Sequence, residues 1–401
     1  MTRVVITGIG LVTSIGATKD ASWQAMLEGR CGIGPVTVFD PEGFRSTIAA
    51  EVDLDAVTSS LTPLERRRWS RADQMGVVAA DEALADSGVL DGADRTRIGV
   101  LLGAGTADLI RNERYHRTLL QGDHRPRPSD AWNHFANTVV DLIAERHQLE
   151  GMRSCLAAAC ASSTIAIGQG LDAIRAGRLD AALVGGSDAL ARLTFSGFNA
   201  LRVMDPEPCR PFDRNRAGMN IGEGAAILVL ESSDRARRRG ARIYAEVAGY
   251  SLTCEAYHPT APEPEGYAIA ALVQSALRDA RIDPSAVQHV NAHGTATPQN
   301  DAAEARGFRR AFGERSSQLP VTSIKSMVGH CLGAAGGIET AAAVLSIAHG
   351  MIPPTIHVAE PDPACPVDVV ANAARGVPLE VVVSTSLGFG GNDAAVVVRR
   401  A

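Results

Sequence analysis

Ser154–Gly177 reads SCLAAACASSTIAIGQGLDAIRAG. A run of small residues ends at Cys160, and from Ser162 to Ala176 apolar positions recur at helical spacing. A short apolar run, Ala181–Val184, follows and reads as a buried strand. Working outward, the same alternation continues in both directions. Arg3–Gly8, Ile98–Leu102, Ala225–Leu230, Val287–Asn291, Val381–Ser384 and Ala394–Val398 are further predicted strands. Ser70–Asp86, Gly266–Asp279 and Gly336–His349 are further predicted helices. Continuous apolar strands separated by helices specify an α/β protein with helices covering its sheets. Ser232–Gly240 (SSDRARRRG) is a shift in composition and a candidate boundary between two halves of similar grammar.

The 401 residues are 45 % hydrophobic and 21 % charged, an ordinary globular composition with room for a large core. A net charge of −6 supplies no basic field, so nucleic acid is not an expected partner. Met1 runs straight into a strand-like segment without the charged and apolar regions of a secretory signal. The seven cysteines are odd in number and none falls in a CxxC pair. Together these predict a reduced, cytoplasmic protein. Gly333–Ile352 is weakly polar, but it carries Glu339 and His349 and is rich in alanine and glycine. It predicts a buried helix and no membrane insertion.

Several chemistries lose their usual markers. Gly8, Gly10 and Gly16 do not make GxGxxG, and neither GxxxxGK[ST] nor GxSxG occurs. His289 and His293 are four apart, but VQHVNAH has strand-like valines and lacks the glutamate of HExxH, so no metal site is expected. Cys160 stands just before a helix, where unpaired N–H groups and the helix dipole favour a thiolate. A lone cysteine there is more often a buried structural one. Two further segments shift that balance. NAHGTATPQND sets His293 at a strand end beside hydroxyls and a proline, and SIKSMVGHCLGAAGG sets Lys325 and His330 before a Gly/Ala-rich helix. Small neighbours and hydroxyls are how a site exposes imidazoles to a ligand. STSLGFGGNDAAVVV is a glycine-rich loop between strands, either a plain hairpin or an oxyanion hole with Phe389 against a ligand.

Cys160 in AAACASS, His293 in NAHGTATP, Lys325 and His330 in KSMVGHCLGAAGG, and Gly388–Gly391 (GFGG) occur in that order. With VVITGIGLVTSIG at the N-terminus and CRPFDRNRAGMNIGEGAAILVLE mid-chain, the whole sequence resembles the elongating β-ketoacyl-acyl-carrier-protein synthases of the thiolase superfamily. The resemblance implies a thiolase-like fold, two similar halves (residues 1–239 and 240–401) in five layers, α-β-α-β-α. It implies an acyltransferase that loads an acyl chain onto Cys160 and condenses it with decarboxylating malonyl-carrier. The N–H groups of Cys160 and Phe389 would then hold each oxyanion, and His293 and His330 would stabilise the enolate. Lys325 would orient a histidine, and Glu304 and Glu339 would be structural. Thr295, Thr297 and Thr260 match positions that contact the pantetheine arm, while Met219 and Phe389 would border the acyl pocket.

The implied partner is an acyl carrier protein, docked through Arg66, Arg67 and Arg68 in ERRRWSRADQ, with Arg71 in the same cluster. No cofactor is required, since the phosphopantetheine belongs to the carrier. A homodimer is implied, or a heterodimer with a related synthase or chain-length-factor subunit. Ala217 and Met219 stand where Asp and Phe are common, and Gly391-Asn392-Asp393 replaces Gly-Thr-Asn or Gly-His-Asn. These departures lean towards specialised polyketide or polyene pathways and leave acyl length open. A chain-length factor itself usually lacks the cysteine, and a degradative thiolase has a cysteine-containing motif where GFGGND stands here.

Overall fold

The computed structural model describes residues 2–401, apart from positions 108, 123, 124, 126, 129 and 131–135. Eleven strands form one hydrogen-bonded sheet: β1 (Val4–Val12), β2 (Ile98–Gly103), β3 (Arg153–Leu156), β4 (Ala181–Asp188), β5 (Gly224–Ser232), β6 (Ala245–Cys254), β7 (His289–Asn291), β8 (Pro320–Thr322), β9 (Asp368–Val369), β10 (Val381–Gly388) and β11 (Asn392–Arg399). Their spatial order is β9-β8-β7-β10-β11-β6-β1-β5-β4-β2-β3.

The two halves carry the same grammar. In β1-β5-β4-β2-β3 two antiparallel pairings are followed by two parallel ones. In β6-β11-β10-β7-β8 the sequence of pairings is identical, and β9 adds a short parallel edge. The halves meet where Val5 pairs with Glu246 and Ile6 with Ala245.

Helices supply the other layers. α1 (Pro63–Arg68), α2 (Arg71–Ser87) and α3 (Thr138–Arg146) lie on the first half, and α2 packs on β1 and β5. Ser70 starts α2 by accepting the Asp73 N–H at 3.1 Å. Gly8 and Gly10, which form no phosphate loop, are contact points: a Cβ there would lie 2.2 Å from Ala83 O and 1.8 Å from Ala79 O on α2. α4 (Ser162–Arg175) packs on strands of both halves, and α5 (Arg192–Ala200) follows β4. α6 (Tyr267–Ala280) and α7 (Pro298–Phe312) cover the second half. α8 (Lys325–Val328) is a single turn, and α9 (Ala335–His349) packs on α4, β5 and β10. α4 and α9 are therefore the central layer of an α-β-α-β-α stack. Leu332–His349 is the one described segment long and apolar enough to cross a membrane, and 89 % of it is buried as this core helix.

The strands predicted from apolar runs all form, most a few residues longer, and so do the four predicted helices. Sequence reasoning passed over β3, β6, β8, β9, α1, α3, α5, α7 and α8.

Candidate active site

Cys160 sits between β3 and α4, on the inner side of the first half. Ala159, just before it, adopts a left-handed backbone at φ 48°. Ala296, between the two threonines, has φ 63°, and Leu332, two residues after His330, has φ 51°. Each such turn costs a non-glycine residue about 1–3 kcal/mol, and strain of this kind gathers at functional sites. Three separate segments are thus bent sharply where they face one another.

They converge on one cluster. His330 Nε2 lies 2.9 Å from Cys160 Sγ. The His293 ring stands perpendicular to that of His330, centroids 5.3 Å apart. One donor atom from each of the three residues falls within 4.8 Å of the others. Lys325 Nζ donates to the His293 carbonyl at 2.5 Å, lies 3.4 Å from its Nδ1, and pairs with Glu339. An ammonium has only donors, so His293 Nδ1 is the acceptor and Nε2 carries the ring proton. That fixed positive charge also makes the cluster a poor cradle for a metal cation.

Burial sets the charge states. Cys160 is 5 % exposed. Desolvation pushes its thiol up to about 12, outweighing Lys325 and the Phe389 N–H, which donates to the sulfur. The expected thiolate is therefore corrected to a neutral thiol at rest, because desolvation overrides the local field of the helix end. Desolvation, with Lys325 nearby, holds both imidazoles well below the usual histidine range, so they are neutral. Burial raises Glu339 to about 7 against the pull of Lys325. Glu304, raised by burial to about 7, accepts the His293 and Gly294 N–H groups at 2.8 and 2.6 Å and Thr385 Oγ1 at 3.0 Å. It holds the His293 turn in place.

A 300 Å³ cavity opens on the cluster. Thr260, Thr295, Thr297, Met219 and Phe389 all line it. Thr295 and Thr297 share a hydroxyl contact of 3.1 Å. Phe198 of α5 stacks on Phe389 at 5.6 Å, and Glu255, His258 and Asp393 add to the polar lining. Sequence reasoning missed these four. Asp393 alone had a signal, its departure from the usual asparagine.

The arginine cluster divides. Arg67 and Arg68 are exposed on α1. The Arg66 guanidinium donates to the carbonyls of Leu61 and Ser59. Arg71 is corrected: it is bound to the fully buried Glu223 and to Val52 O, and it ties α2 to the core.

Comparison with known proteins now decides the family. Residues 1–236 match the β-ketoacyl synthase N-terminal domain and residues 244–359 the C-terminal domain. The chain belongs to the β-ketoacyl synthase family. It is 40 % identical to an oxytetracycline polyketide putative β-ketoacyl synthase 1 of Streptomyces rimosus, over 99 % of this chain and 96 % of that one. It is 39 % identical to 3-oxoacyl-[acyl-carrier-protein] synthase 2 of a Synechocystis strain, over 99 % and 98 %. The solved ishigamide ketosynthase/chain length factor superposes with a TM-score of 0.93 at 36 % identity, over 100 % and 99 %. This ketosynthase is accordingly an acyltransferase of the thiolase-like fold.

Proposed function

We propose that the ketosynthase condenses an acyl group on Cys160 with malonyl-acyl carrier protein, releasing carbon dioxide and 3-oxoacyl-carrier. The observation that carries this is the 2.9 Å approach of His330 Nε2 to Cys160 Sγ in a cavity that His293 shares. Residues 1–239 supply the nucleophile, and residues 240–401 supply the histidines and Lys325. In the first half-reaction the Cys160 thiol gives its proton to His330 Nε2 as sulfur attacks the acyl thioester. The Phe389 and Cys160 N–H groups hold the oxyanion, and a proton leaves on the pantetheine thiol. His330 Nδ1 has no protein partner among the described residues. The one proton that the departing pantetheine thiolate takes up can therefore come from Nδ1 by way of solvent, which leaves the imidazole with the Nε2–H that the Cys160 thiol gave it.

In the second half-reaction malonyl-carrier loses carbon dioxide, and the electron pair moves onto the thioester oxygen. Nε2–H of His293 and of His330 stabilises that enolate. The enolate carbon attacks the acyl-enzyme, and Cys160 sulfur leaves and regains a proton from solvent. The pantetheine arm lies along Thr260, Thr295 and Thr297, and the acyl chain meets Met219 and Phe389. No cofactor enters these steps.

The carrier is read as docking on Arg67 and Arg68, exposed charges that raise association rate and are screened within about 8–10 Å at physiological salt. The enzyme is read as a dimer, with its own copy or with a chain-length-factor subunit. The seven cysteines, all unpaired, suit a reducing cytoplasm. One assay tests the proposal, using defined acyl- and malonyl-carriers alongside pantetheine thioesters. Cys160→Ala is expected to abolish acyl-enzyme formation, and mass spectrometry of the wild type should place the acyl adduct on Cys160. An adduct on Cys155 or Cys331 overturns the assignment. Reversing Arg67 and Arg68 to Glu is expected to raise KM for carrier-bound substrate at low salt and spare the pantetheine thioester. Equal losses on both would assign these arginines to the fold.

A further inference from the structure

The turn Gly388–Gly391 joins β10 to β11 and carries the Phe389 N–H that reaches the Cys160 sulfur. Its other N–H groups are all engaged: Gly390 donates to Pro259 O at 2.8 Å, Gly391 to Gly388 O at 3.0 Å, and Gly388 to Asp393 Oδ1 at 3.2 Å. From the facing segment the Glu255 N–H donates to Gly391 O at 3.0 Å. The Asp393 carboxyl thus holds the turn directly, and Glu255 holds it from the facing segment through its backbone N–H. Glu255 Oε2 accepts the Glu263 N–H at 2.9 Å, and Asp393 Oδ1 takes the Gly388 N–H. The remaining oxygens, Glu255 Oε1 and Asp393 Oδ2, are buried and have no N–H or hydroxyl partner among the described residues. Across the strand pair Thr253 opposes Asp393 and Cys254 opposes Asn392, so Glu255 is the diagonal neighbour of Asp393 on the same face, close enough for its charge to act on Asp393. Two buried carboxyl groups in this position bond to each other only when one of them carries a proton.

We propose that Glu255 and Asp393 are a positioning pair, in which one shared proton holds the Gly388–Gly391 turn closed and so aims the Phe389 N–H into the reacting site. The proposal rests on Cys160 being the acylated nucleophile.

The surroundings favour keeping that proton. Asp393 is 2 % exposed, and burial and the Glu255 charge push it up to about 8. Burial raises Glu255 as well, and Glu263 adds to that rise. The groups facing the pair are Glu263 on the same segment, Glu304 on α7 and His258 across the cavity. When the proton is lost, two carboxylates confront each other beside Glu304, and their repulsion opens the turn. An amide at either position supplies a permanent donor to the remaining carboxylate and removes the need for the proton.

The test is the pH profile of Cys160 acylation by hexanoyl-pantetheine, a substrate that bypasses carrier docking. It is followed by quench and mass spectrometry between pH 7 and 9 for the wild type, Asp393→Asn and Glu255→Gln. The readout is each protein's ratio of rate at pH 9 to rate at pH 7, which cancels a uniform loss from misfolding or altered packing. One unit above its pKa an acid keeps its proton in roughly a tenth of molecules, so the wild-type ratio is expected to be about tenfold below that of either variant. Glu304, Glu339 and Cys160 are present in all three proteins, and their own titrations drop out of the comparison. Parallel profiles, with Cys160 acylated in all three, overturn the pair's role. Absence of any thioester on wild-type Cys160 is a distinct result: it removes the nucleophile assignment and the proposal with it.

Discussion

His330 and His293 differ in what they touch, and this separates their expected roles. His330 Nε2 contacts the thiol directly, while His293 is held by Lys325 through its carbonyl and Nδ1 and presents only Nε2–H. His293→Ala is therefore expected to lower malonyl decarboxylation by on the order of a hundredfold, as for a lost oxyanion donor, with a smaller effect on Cys160 acylation. His330→Ala is expected to impair both half-reactions, because the proton acceptor for the thiol goes with it. Separate assays of carbon dioxide release and acyl-enzyme formation distinguish the two. Equal patterns in both variants would contradict this division. Sequence segments showed both histidines, but only their neighbours reveal the asymmetry.

The central helices explain how sites so far apart in sequence meet. Cys160 precedes α4 and His330 precedes α9, so the spacing of these two helices sets the spacing of the reacting groups. Gly336 is where they touch. A Cβ there would lie 1.9 Å from Thr164 Oγ1 and 2.9 Å from Ser386 Oγ, and these two hydroxyls bond each other at 2.8 Å. Gly336→Ala must push α9 from α4, and overpacking of this kind costs about 1–3 kcal/mol. The expected result is a lowered denaturation midpoint together with slower acylation. Gly197→Ala is the control, since a Cβ there meets nothing within 4 Å. Its stability should stay level or rise by up to about 1 kcal/mol from helix propensity. A Gly336→Ala protein as stable as the control would show that the two helices can part without cost.

Over the whole molecule, buried ionisable groups decide how stability varies with pH. Burial raises Asp188 to about 6, Glu304 and Glu339 to about 7 and Asp393 to about 8. An acid raised on folding contributes stability below its unfolded pKa, and that contribution is lost as pH climbs through the folded value. Burial lowers His289 to about 3 and lowers His293 and His330, whose contributions are full above the unfolded histidine range and lost only as pH falls. Above about pH 6.5 the histidines add progressively less, and the buried acids, which hold more protons folded than unfolded, dominate the change. The denaturation temperature is therefore expected to fall steadily from pH 6.5 to 8.5 at constant ionic strength. Scanning calorimetry checks this, and a flat or rising Tm across that window would mean these carboxyls are more hydrated than their burial implies.

The sequence by itself determined the fold class and the composition of the site. β1, β4, β5, β10 and β11 are nearly continuous apolar runs because helices cover both faces of the sheet, and such runs are legible locally. β8 and β9 have three and two residues, too few to show any period. α7 escaped notice because PQNDAAEARGFRRAF is polar overall, and two of its buried residues, Asp301 and Glu304, bind backbone N–H groups near the site. The three site segments were each readable, since small residues, hydroxyls and turns leave local marks. Tertiary structure alone decided their chemistry. Cys160 and His330 touch across 170 residues, and desolvation in the assembled core, not the helix end visible in sequence, keeps the thiol protonated. The same holds for Glu255 and Asp393, because the effect of burial and of a facing charge on a carboxyl depends on which segments pack against it, and no local pattern records that.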